Sequence, residues 1–456
     1  MSSNHNIEIT PSNVLSDGKI SFKNGNPVIS FIIGEQDRLL ISRSVRLCGK
    51  FRCKLNEDND ASDIPRANDE LQASGKLGVY GAIDQLVIKS QQTHQVIEHI
   101  KYYNRMMASY LPQITSKCDA TSHLTQSSLI MPNHLLYKQS VIDNPAQTQS
   151  PNSFCIPLSS GLFSGTADIP LSSTWGLKGL LIEIHLAPDT NFLYSGVQQG
   201  PAEATNPDGD TTGLTDSFYE LSDVKLVAET IDPTPQQLQS YPPSGGTFEY
   251  NSISTYFTSV NSTNAIINFN LGLKRVMGAF MNFIPSSRIN SYSHNGLATV
   301  PLFNSSNNTD APIEKLTFLR GGSKFPLDYD IDYLGIDGLE YKEVDSQVVR
   351  HFINSVSAFP DNDRLQTSSV NTFERNNRTS GKKSAFSDVL TLDGGNNFGV
   401  GIAYDTISDA GVDFSTQAFG VQMTTGLTSD TPHAVYLFAK SKQTIAYSGM
   451  GLQVLM

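Results

Sequence analysis

Val45-Arg46-Leu47-Cys48-Gly49-Lys50-Phe51 and Lys274-Arg275-Val276-Met277-Gly278-Ala279-Phe280 read as two versions of one β-strand, one in each half of the chain. Arg46, Gly49 and Phe51 align with Arg275, Gly278 and Phe280. In the first copy Val45, Leu47, Gly49, Phe51 and Cys53 fall on one side of an alternating pattern. Arg46, Lys50, Arg52 and Lys54 fall on the other. That is the period of a half-buried strand with a long-chain polar face. Two such strands raise the possibility of a duplicated domain, and the order of elements around them tests it.

The order repeats. Each half has one helical pattern near its middle. Val96, Ile97, Ile100, Tyr103, Met107, Tyr110 and Leu111 form a stripe that predicts a helix over 93–111, with Thr93 as N-cap and Pro112 as stop. Val348, Val349, Phe352, Ile353, Val356 and Phe359 predict a second over 346–359, capped by Asp345 or Ser346 and ended by Pro360. Each half then closes on two strands. In the first these are Leu180 to Leu186 and Leu221 to Ile231. In the second they are Ala434 to Ala439 and Thr444 to Met456, joined by a tight turn at Lys440-Ser441-Lys442-Gln443. Leu452, Val454 and Met456 predict a core strand at the C-terminus. Between the halves, 232–246 holds Pro233, Pro235, Pro242 and Pro243 and then Ser244-Gly245-Gly246. Proline removes a backbone donor, so this stretch interrupts any sheet. The expected division is a first domain over 1–231, a linker over 232–246 and a second domain over 247–456. The fold class expected is all-β: two tandem antiparallel β-sandwiches, each with one main helix in a long loop.

Composition narrows the function. Charged residues are 17% of the 456, below the roughly 25% of an average soluble chain, and Ser, Thr, Asn, Gly and Pro take their place. The net charge of −12 opposes a coat bound to nucleic acid by its own surface. The basic stretch Arg43 to Lys54 is the best nucleic-acid candidate, but it is one strand face without interleaved aromatics. No apolar run reaches the ~20 residues of a membrane-spanning helix. Met1 to Asn13 is polar and lacks the charged-then-apolar order of a signal peptide, so the expectation is a chain that starts at Met1 and folds in a reducing cytosol. Cys48, Cys53, Cys118 and Cys155 are too few and too scattered for a disulfide framework. The Asn-x-Ser/Thr sequons at Asn261 and Asn377 are expected by chance in an Asn/Ser-rich chain.

Every chemical constellation fails a spacing test. Asp328-Tyr329-Asp330-Ile331-Asp332 opens like a calcium loop, but Tyr333 stands where glycine is needed and Leu339 where glutamate is. Its alternation reads instead as a strand with an acidic face. Asn206-Pro207-Asp208-Gly209-Asp210 is turn chemistry. Asp393 to Gly401 is glycine-rich, but Ile402-Ala403-Tyr404 continues as strand, not as the helix that a phosphate cradle requires. His94 and His99 are five apart on the expected helix, where zinc pairs share a face at three or four. Cys48 and Cys53 point to opposite faces of a regular strand. No nucleophile with an identifiable base is present. The expectation is therefore no catalytic residue, no metal site and no cofactor.

Two tandem sandwiches with a helix in each resemble the double jelly-roll major capsid proteins of Polinton-like viruses and virophages. Gly179 to Pro188, followed by Tyr219-Glu220-Leu221-Ser222-Asp223-Val224-Lys225-Leu226, resembles the end of the first jelly roll in that group. Gly321-Gly322-Ser323-Lys324-Phe325-Pro326-Leu327 resembles a turn-and-strand stretch of the second. The likeness of architecture covers nearly the whole chain. It implies a structural protein of the virion, made in the host cytosol or nucleus, that trimerises into a pseudo-hexagonal capsomer and tiles an icosahedral shell. The partners implied are two further copies of the chain, neighbouring capsomers, penton and minor capsid proteins, and as a further candidate an internal membrane. Sequence-specific nucleic-acid binding is not implied. The polar insertions at 195–216 and 292–310 would lie at the capsomer's outer end or between subunits. The alternatives are a glycan-acting enzyme on a double β-sandwich, which needs two facing carboxylates about 5–10 Å apart, and a glycan-binding adhesin.

Overall fold

A computed structural model describes residues 4–13, 18–23, 27–54, 71–73, 77–114, 152–165, 167–195, 217–243, 245–292, 296–297, 313–332, 346–359, 399–404, 410–425, 432–448 and 451–455. The first half contains β1 (Asn4–Ile9), β2 (Val28–Ile33), β3 (Arg46–Lys54), β4 (Ile83–Ser90), β5 (Val96–Ile100), α1 (Tyr103–Ile114), β6 (Asn152–Pro157), β7 (Leu180–Leu186) and β8 (Phe218–Ile231). After α2 (Pro235–Ser240) come β9 (Gly246–Val260), β10 (Asn264–Phe269), β11 (Val276–Pro285), β12 (Ile313–Arg320), β13 (Ser323–Lys324), α3 (Ser346–Ser357), β14 (Val400–Ala403), β15 (Phe419–Thr425), β16 (His433–Ser448) and β17 (Gly451–Leu455).

The pairing shows the duplication. In the first half one sheet runs β1-β8-β3-β6 and the other β2-β7-β4-β5. In the second the sheets run β9-β16-β11-β14 and β10-β15-β12-β13. Adding eight to each first-half number gives the second half. In both halves the first and eighth of these numbered strands pair, and the main helix lies between the fifth and the sixth. This is the jelly-roll order, twice over. Short strands at Lys19–Ile20, Leu39–Leu40 and Ile169–Pro170 widen the first sheet, and β17 pairs with β16 in the second. All these pairings are antiparallel, and among the described residues none joins a first-half strand to a second-half strand.

The aligned glycines occupy equivalent places. Opposite Gly49, the pairing of β3 with β8 shifts register between Ser222 and Lys225. At Gly278, the pairing of β11 with β16 shifts between Val276 and Gly278. Both sites are tight. A Cβ on Gly49 would lie 3.0 Å from the Phe154 ring, and one on Gly278 would lie 3.3 Å from the Ala358 methyl.

Several expectations are corrected. The helix expected over 93–111 is two elements. Residues 96–100 are strand β5, and the helix begins only at Tyr103. Val96, Ile97 and Ile100 are β-branched and suit a strand. Tyr102, at φ 55°, breaks the chain between the two elements. The turn expected at Lys440–Gln443 is the middle of β16, where Lys440, Ser441 and Gln443 are all buried. The C-terminal strand β17 lies beside β16 with Leu452 and Val454 only partly buried and Leu455 exposed, so it borders the core. The linker is not wholly extended. Thr234 caps α2 in a reciprocal box with Gln237, and Pro235 takes the first helical turn, where its missing N–H costs nothing. Of the strand expected from Asp328 to Tyr333, Ile331–Asp332 is strand and 328–330 is not, while Tyr333 lies outside the described residues.

Candidate functional site: the seam between the sandwiches

Buried polar groups gather where the halves meet. Glu98 on β5 is 2% exposed. Its Oε1 accepts from the N–H of Gly161 at 2.9 Å and of Ile253 at 2.7 Å, and its Oε2 accepts from Leu162 N–H at 3.1 Å. One carboxylate therefore holds backbone from both sandwiches. Burial pushes its pKa up to about 6, against the opposing pull of those hydrogen bonds. Beside it the Tyr250 hydroxyl of β9 donates to the Ile97 carbonyl at 2.7 Å. Gly161 permits the approach, because a Cβ there would sit 2.4 Å from the Asn251 carbonyl oxygen.

A second cluster surrounds α1. Arg105 is buried, donates from Nη1 to the Gly296 carbonyl at 2.7 Å, and stacks over the Tyr436 ring at 4.7 Å. A guanidinium over an aromatic face is favourable, and the Asp84 carboxylate lies close enough to feel the Arg105 charge. Asn282 of β11 donates to the Arg105 carbonyl at 2.7 Å and to Ser109 Oγ at 3.2 Å. Tyr102, Phe257 and Tyr436 pack their rings across the same line. α1 also touches α3, so the two main helices meet at the seam.

A cleft of about 270 Å³ opens nearby, lined by Gly161, Leu162, Phe248, Glu249, Tyr250 and Lys442 among others. Among the described residues that line it, Glu249 is the one carboxylate, and it is ion-paired with Arg275 at 2.8 Å, so these residues offer no facing acid pair of the kind that glycoside chemistry uses.

Of the residues singled out in the sequence, Cys48 and Cys155 come to stand opposite each other on neighbouring strands, whereas His94, His99 and Asp330 share no cluster. His94 lies just after the turn at 91–93, at φ 55°, not on a helix. His99 lies on β5, 2.9 Å from Gln85 Oε1, and burial holds its pKa down. Asp330 is gripped by Lys315 at 2.7 Å and Lys324 at 2.8 Å, with Thr317 Oγ1 donating at 2.6 Å. Hydrogen bonds from those lysines depress its carboxyl well below the usual range. It is thus a strut between β12 and β13, with its oxygens already engaged. Among the described residues, no three His, Cys, Asp or Glu side chains gather as a metal site would require. Asn206 to Asp210, Asp393 to Phe398, Tyr333, Leu339, Cys118, Asn377 and the insertions at 196–216 and 298–310 lie outside the described residues, as does the side chain of Cys53. The seam itself was missed by the sequence reading. A lone Glu98 between Ile97 and His99 carries no local signal of its distant donors, the N–H groups of Gly161, Leu162 and Ile253 and the Ser160 side chain.

Fold and seam together define a double jelly roll: two sandwiches of one strand order, locked to each other by buried polar contacts. The sequence matches no protein-family model and no curated relative. Solved structures share its fold. PBCV-1 VP54, fitted into a reconstruction of the virophage Sputnik, matches with a TM-score of 0.57 and 9% identity over 100% of this chain and 97% of its own. The Faustovirus major capsid protein matches with a TM-score of 0.55 and 10% identity over 97% of this chain and 90% of its own. A chain of the Sputnik virophage itself matches with a TM-score of 0.51 and 12% identity over 100% and 88%.

Proposed function

We propose that this chain is a major capsid protein whose trimers form pseudo-hexagonal capsomers of an icosahedral virus shell. The observation that carries the reading is the jelly-roll order repeated within one chain and aligned nearly end to end with the Faustovirus major capsid protein. Residues 1–231 make the first jelly roll, 232–246 the linker and 247–456 the second. Two similar sandwiches give the subunit two similar flanks, and three subunits around an axis give six. Closed cyclic symmetry is the usual way for identical chains to satisfy their interfaces. A charged fraction of 17% suits broad contacts, because interface cores are depleted in charge. The equivalent strands β2 and β10, each at the end of its sheet, expose an isoleucine, Ile32 and Ile266. The net charge of −12 favours indirect contact with a genome, through a membrane or other proteins. The role is architectural, with no catalysis, cofactor or resident metal, and its place is the virion.

Native mass measurement of the purified protein tests the reading. The expected species is three times the 49.8 kDa chain. A stable monomer or dimer under all assembly conditions, together with virions that lack the chain, would remove the proposal.

A further inference from the structure

Cys48 and Cys155 are far apart in sequence but directly opposite each other in the antiparallel pairing of β3 with β6. The backbone identifies the kind of pair they form. Leu158 N–H donates to the Val45 carbonyl at 3.0 Å, so Val45 and Leu158 are at a hydrogen-bonded position. Bonded and non-bonded positions alternate along an antiparallel ladder. Arg46 opposite Pro157 is then non-bonded, which suits a proline with no N–H; Leu47 opposite Ile156 is bonded; Cys48 opposite Cys155 is non-bonded. Non-bonded pairs bring their Cα atoms to about 4.5 Å with side chains close together, inside the roughly 4.4–6.8 Å span of disulfides. Both cysteines are partly exposed on the outer face of the sheet, in line with Arg46 and Lys50, within reach of a small reagent.

We propose that Cys48 and Cys155 are a redox-active pair that closes into a cross-strand disulfide between β3 and β6 by exchange with a low-molecular-weight disulfide. The surroundings divide the roles. A hydrogen bond from the Cys48 thiol, and after it the charges of Arg46 and Lys225, pull the Cys155 thiol down to about 6 against the effect of burial. Cys48 is pushed up, first by the same hydrogen bond. Arg46 also hydrogen-bonds to the Cys155 sulfur and not to Cys48, which makes Cys155 the attacking thiolate. It displaces one thiolate from the small disulfide and forms a mixed disulfide, and the released thiolate takes up a proton. With Cys155 no longer an anion, Cys48 gives up its proton and attacks the Cys155 sulfur, releasing a second small thiol. The protein loses two electrons and two protons, and the small disulfide gains both. The link would close a loop of the chain across 49–154 and so restrain the unfolded state.

The test uses the full-length wild-type protein, purified reduced and then exposed to oxidised glutathione at neutral pH. After alkylation and digestion, mass spectrometry should recover a peptide linking Cys48 to Cys155, and the intact mass should fall by two hydrogens. The oxidised protein should melt higher than the reduced one, by roughly 5 °C. Cys48→Ser should stop at a glutathione adduct on Cys155, and Cys155→Ser should react ~10-fold more slowly. Recovery of Cys48 and Cys155 as free alkylated thiols, or a link that instead uses Cys53 or Cys118, would overturn the pairing. Equal reactivity of the two serine variants would overturn the assigned roles. The wild-type disulfide map does not depend on either variant.

Discussion

The strand that repeats between the halves is buried differently in each. β3 alternates, with Leu47 and Phe51 inside and Arg46 and Lys50 outside, so one of its faces meets solvent. β11 is buried from Val276 to Ile284. One of its sides carries Gly278 and Phe280 against α3, where Phe280 meets the rings of Phe352 and Phe359, and Ala279 and Met281 on the other side are buried as well. The last strands differ in the same way. β8 alternates along most of its length, whereas β16 is continuously buried from His433 to Ser441. Strand order is thus the duplicated property, and solvent exposure is not. The second sandwich has its β9-β16-β11-β14 sheet covered by α3 and by the first sandwich, and its sequence is apolar on both sides there.

The largest expected effect breaks the seam between the two. In Gly161→Val the new side chain would drive into the Asn251 backbone, and neither wall can move without separating the sandwiches. The expected cost is about 3 kcal/mol or more, and denaturant unfolding should split into two transitions, one per sandwich. Glu98→Gln is gentler. The amide keeps one acceptor but sets an N–H against the Leu162 N–H, for about 2–3 kcal/mol in the same assay.

A matched pair of lysine variants sharpens the comparison. Lys225 and Lys440 stand at equivalent places, on the equivalent strands β8 and β16, where Lys225 faces Cys48 next to Gly49 and Lys440 faces Gly278. Lys440 is buried and donates to the carbonyls of Ala358 at 2.7 Å and Phe359 at 3.0 Å, capping the end of α3. Lys440→Met should cost about 2 kcal/mol. Lys225 reaches Glu8 at the surface, so Lys225→Met should leave the melting temperature unchanged. Equal losses in both variants would contradict the difference in burial.

Acid titration should separate the halves again, with the smallest effect. Burial raises Asp189 in the first half to about 6, as it does Glu98. A raised folded pKa means protonation favours the fold. Stability from these groups is complete below the ordinary carboxylate range and falls as pH rises through 6, by at most ~1.4 kcal/mol per pH unit for each group. Asp330 in the second half is depressed by Lys315 and Lys324, so its contribution is present above the ordinary aspartate range and lost as pH falls below it. Asp189→Asn should flatten the stability profile between pH 4 and 6 and Asp330→Asn only below it, as read by melts across a pH series.

Local pattern was legible in the sequence and tertiary satisfaction was not. The alternation over 45–51 placed β3, the stripe from Val348 to Phe359 placed α3, and the Leu180–Leu186 run matched β7 residue for residue. The errors share one physical cause. Lys440-Ser441-Lys442-Gln443 looks like a turn because four polar residues have no local reason to sit in a sheet. Lys440 is there for the carbonyls of a helix some eighty residues earlier. The apolar spacing from Val96 to Leu111 fits a helix but spans a strand and a helix, because Tyr102 takes a backbone conformation that the pattern does not encode. The parity of Cys48 and Cys53 could be worked out on one strand. The register that sets Cys48 against Cys155 depends on how β6 returns to β3.

The most direct test of the double jelly-roll capsomer is electron cryo-microscopy of the purified full-length protein under assembly conditions. The expected density is a particle with a threefold axis and six upright sandwiches in a near-hexagonal ring, alternating between the half with a solvent-facing β3 sheet and the half with a covered β11 sheet. A monomeric particle, or an oligomer whose two halves do not alternate around a threefold axis, would contradict it.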